Sequence, residues 1–404
     1  AKVITDAEGS AGAGVGFAAP QIDLDGVRAF KDGAVEKLTG GIVGLAKGRG
    51  VRVVHGEARF TAANTIAVGE EELEFAHCVI AAGSEPIRLP DLPDDPRIVD
   101  STGALELTDV PERLLVVGGG IIGLELATVY DALGSEVTVV ELADQLIPGC
   151  DPDLVKPLHK RIAGRYAAIH LGTRVESIEP RPDGLHVTFA GEKHRFDRVL
   201  VAVGRTPNGG KLGLEAAGVT VGEHGFVPVD DQMRTDVAHI LAIGDICRGP
   251  MLAHKATHEG HLAAEVVAGH DVAWDVRAMP SVAYTDPEIA WVGLTENEAK
   301  ADGTAYEKAV FPWAASGRAL STGRPDGSTK VLYDPGTRRV LGGGIVGLNA
   351  GELIAELALA VEMAADVEDV ALTVHPHPTL SETVGLAAEA GAGTITDLPK
   401  RRGR

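Results

Sequence analysis

Cysteine is scarce. The 404 residues hold three, Cys78, Cys150 and Cys247, and they lie far apart. Their spacing offers no disulfide framework, no zinc knuckle and no C-x-x-C redox pair. Basic charge is outweighed: 37 Lys and Arg stand against 58 Asp and Glu, a formal charge of −21. No nucleic acid is therefore expected as a partner, because phosphates call for a basic footprint. The acidity bears on solubility more than on fold. No run nears the ~18 continuous apolar residues of a membrane span, so no membrane is expected either. No charged-then-apolar segment opens the chain, which points to a cytoplasmic protein rather than a secreted one. The first residue is Ala, not Met.

Glycine, by contrast, is abundant and clustered, 51 of 404 residues. At ~150 residues per domain the length predicts two or three domains. Val27, Phe30, Ala34, Leu38, Ile42 and Leu45 recur in steps of three and four and predict one face of a helix. Short β-rich runs follow at 51–54, 65–68 and 78–80, the last entering the turn Ala81-Ala82-Gly83. A polar boundary at 108–113 precedes a strand at 114–117, a helix at 121–133 and a strand at 137–140. That is one β-α-β unit of ~30 residues. Strands at 171–178, 186–189 and 198–203 continue an α/β domain to about residue 230. A strand at 239–243 ends in Gly244-Asp245, and a helix follows at 256–268. From Pro280 the pattern is α+β, with strands near 281–284, 308–311, 329–333 and 338–346 and a helix at 351–364. The basic tail, Lys400 to Arg404, reads as a solvated terminus.

Gly118-Gly119-Gly120-Ile121-Ile122-Gly123 fits G-x-G-x-x-G, directly after one predicted strand and opening a predicted helix. Gly118 permits the tight turn, Gly120 lets backbone approach a pyrophosphate, and Gly123 allows close helix–strand packing. The helix N-terminus offers N–H groups to phosphate. Glu141 ends the second strand, 23 positions after the first glycine. A carboxylate there accepts from a ribose 2′-OH and repels a 2′-phosphate, so NAD is expected rather than NADP. Gly342, Gly344 and Gly347 share the spacing, but a long helix follows, and Asp366 precedes the next strand instead of ending it. That match reads as a glycine strand under close packing.

Val374-His375-Pro376-His377-Pro378-Thr379-Leu380-Ser381-Glu382 is the sharpest chemical signal near the C-terminus. His is the side chain best poised for proton transfer near neutral pH. Prolines after His375 and His377 restrict this backbone, and a cis X-Pro bond is compatible with it. Glu382 has two readings. It folds back to orient the imidazole, or it closes a capping box with Thr379 for a helix at 380–389.

Further motifs are Lys37-Leu38-Thr39-Gly40-Gly41, Ala81-Ala82-Gly83-Ser84-Glu85-Pro86, Ala202-Val203-Gly204-Arg205-Thr206-Pro207-Asn208, Ala242-Ile243-Gly244-Asp245, Met251-Leu252-Ala253-His254-Lys255-Ala256 and Phe311-Pro312-Trp313-Ala314-Ala315-Ser316-Gly317-Arg318. With Gly118–Glu125 and His375–Glu382, they resemble the flavoprotein pyridine-nucleotide disulfide reductases, and within them the branch that oxidises dihydrolipoamide. The resemblance implies an α/β fold of two Rossmann-like dinucleotide-binding domains, the FAD one incomplete, plus a C-terminal α+β dimerisation domain. Residues 1–110 are the remainder of the FAD domain, 111–231 the NAD domain, 232–278 the FAD-domain return segment and 279–404 the interface domain.

The same resemblance assigns Gly56, Ala82, Gly83, Ser84, Asp245, Met251, Leu252, Ala253 and His254 to FAD. It assigns Gly118, Gly119, Gly120, Ile121, Ile122, Gly123, Leu124, Glu125, Glu141, Val175 and Gly204 to NAD. His377 is the implied acid–base residue, paired with Glu382, and no metal is implied. The implied reaction is NAD-dependent oxidation of dihydrolipoamide to lipoamide through FAD and a redox disulfide. The implied partners are a second copy of the chain and the lipoyl domains and E2 core of 2-oxoacid dehydrogenase complexes. Alternatives are a glutathione or mercuric reductase, a pyridine-nucleotide transhydrogenase, or a truncated NAD-binding homologue without catalysis. The family's first FAD β-α-β unit and C-x-x-x-x-C pair are not in these 404 residues. The expectation is that these residues by themselves do not turn over lipoamide.

Overall fold

The run Arg113–Val117 is the middle strand of a five-stranded parallel sheet, in the order Ile98–Val99, Arg198–Val201, Arg113–Val117, Glu136–Val140, Ala168–His170. Its register sets Val116 beside Val139 and Leu200. Four successive buried residues, Leu114 to Val117, suit a strand covered on both faces. The crossover helix Ile121–Leu133 buries Leu124, Ala127 and Tyr130 and stops at Gly134, whose φ of +110° is left-handed. A three-stranded antiparallel sheet, Val175–Arg181, Gly184–Phe189 and Glu192–Phe196, packs Val187, Phe189 and Phe196 with Leu115 and Val199.

The structure is a computed structural model describing residues 1–399, so the basic run Lys400 to Arg404 lies outside the described residues. The chain forms two compact units. One holds Ala1–Ile22, Arg88–Val203 and the residues from Val276 onward; the other holds Asp23–Ile87 and Gly204–Asp275.

The first unit also contains a five-stranded antiparallel sheet, in the order Ser281–Ala283, Glu288–Gly293, Val340–Gly347, Ser328–Tyr333, Glu307–Pro312. Helices Ala350–Glu362 and Glu382–Ala392 pack on it over Phe311, Trp313, Val331, Tyr333, Leu357 and Val384. The glycines of Val340–Gly347 are packing residues, in agreement with the sequence reading. A Cβ on Gly344 would fall 2.2 Å from Leu154 Cδ1, and one on Gly347 2.2 Å from the Trp313 ring.

The second unit pairs Cys78–Ile80 with Ile240–Ala242 in parallel and Ser84–Pro86 with Arg205–Pro207 antiparallel. It adds the meander Ala58–Ala62, Thr65–Val68, Glu71–Glu74 and the helices Leu24–Gly48 and Ala253–Val267. Its core joins Phe60, Ile80, Leu214, Val227, Ile240 and Ile246.

Three expectations change. Residues 51–54 form no strand; Val51 and Val53 are exposed, and β propensity without a pairing partner does not make a strand. The run 171–178 is broken at Gly172, φ +59°, so Ala168–His170 joins the parallel sheet and Val175–Arg181 the antiparallel one. Asp366 precedes no strand: it caps the helix Val367–Leu372, accepting from Asp369 N–H in a capping box. The helix over 27–45 forms as Leu24–Gly48, with Asp23 accepting from Gly26 N–H, but its apolar face is uncovered among the described residues, Phe30 being 84% exposed.

Candidate active site

The glycine loop sits where strand and helix meet. Gly118 has φ +108°, and a Cβ there would fall 2.4 Å from Ala202 O. A Cβ on Gly123 would fall 2.1 Å from Gly118 O, so the helix approaches the strand only because both positions are glycine. Around Gly120 the Cβ position is open, with nothing within 4 Å. Gly120 is the N-cap of the Ile121–Leu133 helix and no side chain caps it, which leaves its first N–H groups for an anion. Glu141 Oε2 accepts from Gly119 N–H at 2.5 Å and Oε1 from Ala143 N–H at 2.7 Å. Its carboxylate is thus held against the loop. Open backbone, uncapped helix end and acid together fit a dinucleotide.

The neighbouring candidates sort by environment. Ile121 and Ile122 open the helix, and Leu124 is wholly buried in the core. Glu125 turns to the C-terminal sheet, its Oε1 accepting from Tyr284 N–H at 2.8 Å, and burial pushes its carboxyl up. Val175 begins the strand Val175–Arg181.

In the second unit, Arg205 Nε donates to Ser84 Oγ at 2.7 Å, and Ser84 Oγ donates to Asp245 Oδ2 at 2.6 Å. Asn208 Nδ2 donates to Ala82 O at 3.0 Å, while its buried Oδ1 has no hydrogen-bond partner. That orphaned acceptor, beside Ala82, Gly83 and Ser84, fits a bound polar group such as FAD. Gly83 adopts φ +66°. Gly204 has φ +129° and accepts from Ile87 N–H through its carbonyl. Gly56 has φ +152°, with Val68 where a Cβ would lie. Met251 and Leu252 lead into the Ala253–Val267 helix, and Ala253 and His254 lie on its exposed first turn.

The structure brings His377 and Glu382 together. His377 Nδ1 lies 2.7 Å from Glu382 Oε1, and the His377–Pro378 bond is cis. Glu382 Oε2 accepts from Thr379 N–H at 2.7 Å, and Thr379 Oγ1 accepts from Glu382 N–H at 3.4 Å. The carboxylate orients the imidazole, as one reading had it; the pairing with Thr379 ties the loop instead of capping the helix, which begins at Glu382 with Ser381 as its N-cap and no side-chain cap. Burial works to push the Glu382 carboxyl up; the bonds from Thr379 and His377 and the charges of His377 and His375 outweigh it and hold it below the usual range. An ionised carboxylate only accepts, so the shared proton sits on Nδ1, and in the neutral ring Nε2 is the acceptor edge. The His377 side chain is 79% exposed.

The cysteines stand apart from this chemistry. All three are free; burial pushes the Cys78 thiol up to about 11 and those of Cys150 and Cys247 up to about 12. None is a ready thiolate.

Sequence reasoning gave no role to several polar residues. Lys255 Nζ bonds Glu259 Oε1 at 2.8 Å, both buried, and together they bracket Gly244: Glu259 Oε2 accepts its N–H and Lys255 donates to its O. Arg205 and Asn208 lay inside a quoted motif, which was their only signal. Buried Asp151, Glu296 and Lys330 form a network with the exposed Asp153.

The glycine loop, its acid and a His–Glu pair at the start of the helix Glu382–Ala392 suit a dinucleotide-dependent oxidoreductase. Residues 3–260 match the pyridine nucleotide-disulphide oxidoreductase model and residues 279–388 its dimerisation domain. The chain belongs to the pyridine nucleotide-disulphide oxidoreductase family. It is 54% identical to a dihydrolipoyl dehydrogenase of Vibrio cholerae over all of this chain and 87% of that protein. It is 46% identical to one of Haloferax volcanii, over 93% of this chain and 82% of the relative. Its structure superposes on LpdA of Mycobacterium tuberculosis with a TM-score of 0.87 and 27% identity, covering 96% of this chain and 87% of that one. The flavoprotein disulfide reductase RclA of Escherichia coli, as its Cu(II) complex, gives 0.84 and 26%, covering 90% and 85%. No helix among the described residues is long and apolar enough to cross a membrane.

Proposed function

We propose that this protein oxidises dihydrolipoamide to lipoamide and passes the electron pair to NAD⁺, as a homodimer serving the lipoyl domains and E2 core of 2-oxoacid dehydrogenase complexes in the cytoplasm. The observation that carries the reading is the His377 Nδ1–Glu382 Oε1 pair at 2.7 Å with the rest of the His377 ring exposed. His377 Nε2 takes the proton of a substrate thiol, since the thiolate is the nucleophile in disulfide exchange. Glu382 keeps the ring in the Nδ1–H tautomer and offsets the imidazolium charge that forms. The disulfide opened in that exchange is not made by Cys78, Cys150 or Cys247, which are free and held as thiols.

FAD, when bound, supplies the two-electron carrier between dithiol and nicotinamide. In this reading Gly56, Ala82, Gly83, Ser84, Asp245 and Met251 to His254 hold it, with Asn208 Oδ1 as an added acceptor. Gly118 to Gly123 cradle the NAD pyrophosphate, the start of the helix carrying Leu124 and Glu125 directs its dipole there, and Glu141 and Val175 complete that site; Gly204 is assigned to NAD by the family resemblance alone. Residues 111–231 then form the NAD domain, 1–110 and 232–278 the FAD portion, and those from 279 the interface domain.

The test is substrate choice in the flavin-loaded protein. Dihydrolipoamide with NAD⁺ should be turned over, and glutathione disulfide with NADPH should not. The reverse preference overturns the reading.

A further inference from the structure

A second histidine–carboxylate pair lies two residues before the first. His375 Nε2 is 2.6 Å from Glu356 Oε1, and the His375 side chain is only 10% exposed. Because a carboxylate accepts, the proton on this edge sits on Nε2. The other edge rests on Gly385, where a Cβ would fall 2.7 Å from Nδ1 and 2.8 Å from Cε1. Glu356 belongs to the helix Ala350–Glu362 and Gly385 to the helix Glu382–Ala392. Gly385 follows Glu382 by three positions, which puts both on one helix face. The His375 ring is therefore wedged between two helices, on the same helix face as Glu382. Only Pro376, with its fixed φ, separates it from His377. On the far side, Thr379 N–H is tied to Glu382 Oε2 at 2.7 Å. The exposed histidine is held between two anchors.

We infer that His375 and Glu356 are positioning residues for the reaction: they hold the backbone of His377 so that Nδ1 stays on Glu382 and Nε2 meets the substrate thiol. This rests on the reading of His377 as the acid–base group. Both residues act through His377 and neither touches substrate. Gly385 is part of the same device, since any side chain there would displace the His375 ring.

The test uses H375A, H375Q, E356Q and H377Q in the flavin-loaded protein. Side-chain ¹⁵N spectra report the tautomer of His377, and dihydrolipoamide turnover gives kcat and KM separately. In H375A and E356Q the single Nδ1–H tautomer of His377 should give way to a mixture. Their kcat should fall on the order of 10-fold or more, with KM changing less, as misplacement of a catalytic group does. H375Q keeps a donor where Nε2 lies and should recover most of the loss. An unchanged tautomer with unchanged kcat in H375A and E356Q overturns the inference. The near-isosteric E356Q keeps it testable if H375A does not fold. Full turnover in H377Q instead overturns the acid–base reading, and the tautomer data then still decide whether His375 anchors the loop.

Discussion

Glu382 grips His377 and the loop that carries it at once: Oε1 lies 2.7 Å from His377 Nδ1, and Oε2 takes the Thr379 N–H at 2.7 Å. The first residue of the helix Glu382–Ala392 thereby holds both the imidazole and the loop. Glu382→Gln keeps the shape but loses the charge and half of the acceptor set. Turnover of dihydrolipoamide should fall roughly 10²-fold or more, in kcat rather than KM, because the interaction grows as the imidazolium forms. Steady-state kinetics at saturating NAD⁺ check this. Since the Glu382 carboxyl is held below its ordinary value, the pair persists as pH falls through the usual carboxylate range and is lost only on further acidification.

Glu141, held against Gly119, is the residue proposed to set coenzyme choice. Glu141→Ala should weaken NAD⁺ binding by about tenfold, the loss of one charge-assisted hydrogen bond, and narrow the preference over NADP⁺. Titration calorimetry with both coenzymes measures it. An unchanged ratio contradicts the role.

Gly123→Ala should destabilise the NAD portion. The added methyl would meet Gly118 O at 2.1 Å, a backbone atom that cannot yield cheaply. A cost of roughly 1–3 kcal/mol is expected for such overpacking. Denaturant unfolding monitored by circular dichroism reads it directly.

Lys330 is buried, 1% exposed, and bonds Asp151 at 2.7 Å, Asp153 at 2.7 Å and Glu296 at 3.1 Å. Lys308 adds a bond to Glu296 at 2.7 Å, and Asp151 accepts from the N–H groups of Glu296 and Asn297. Lys330→Met leaves three carboxylates without their central cation and should cost roughly 3–5 kcal/mol in urea unfolding. Burial works to raise the Glu296 carboxyl, but Lys308, Lys330 and Tyr306 hold it at about 2 against an ordinary 4.5. A carboxyl lowered by folding stabilises fully above its unfolded value and progressively less as pH falls. This contribution is therefore intact above about pH 4.5 and should be lost between there and about pH 2. Acid unfolding of wild type beside Lys330→Met shows whether it tracks this network.

Cys78→Ala should leave dihydrolipoamide turnover at its wild-type rate, because Cys78 is a free thiol that burial pushes up to about 11 and is no ready thiolate. NADH production in the flavin-loaded protein checks it; loss of turnover refutes the assignment.

What was legible in the sequence was local. The helix 121–133 matches the structure at both ends, because the glycine loop opens it, the apolar period runs through it and Gly134 ends it. The His377–Glu382 pair spans five residues and needed only a turn to form. Pairs joined by topology were not legible: His375 and Glu356 are 19 apart, Ser84 and Asp245 161, Lys330 and Asp151 179. Composition misled at 51–54, where β-branched residues have no strand to pair with, and at 171–178, where Gly172 turns the chain between two sheets. The helix Leu24–Gly48 obeys its period, yet nothing in that period tells that its apolar face stands uncovered among the described residues.

The proton transfer assigned to His377 is best isolated in the half-reaction that needs it. Stopped-flow mixing of dihydrolipoamide with the flavin-loaded protein gives the rate of flavin reduction, and mixing with NADH reports the other half. In His377→Gln the dithiol half-reaction should slow by about 10²–10⁴-fold, the usual worth of a positioned acid–base group, while reduction by NADH proceeds at its normal rate. Dithiol reduction at the wild-type rate would contradict the role given to His377.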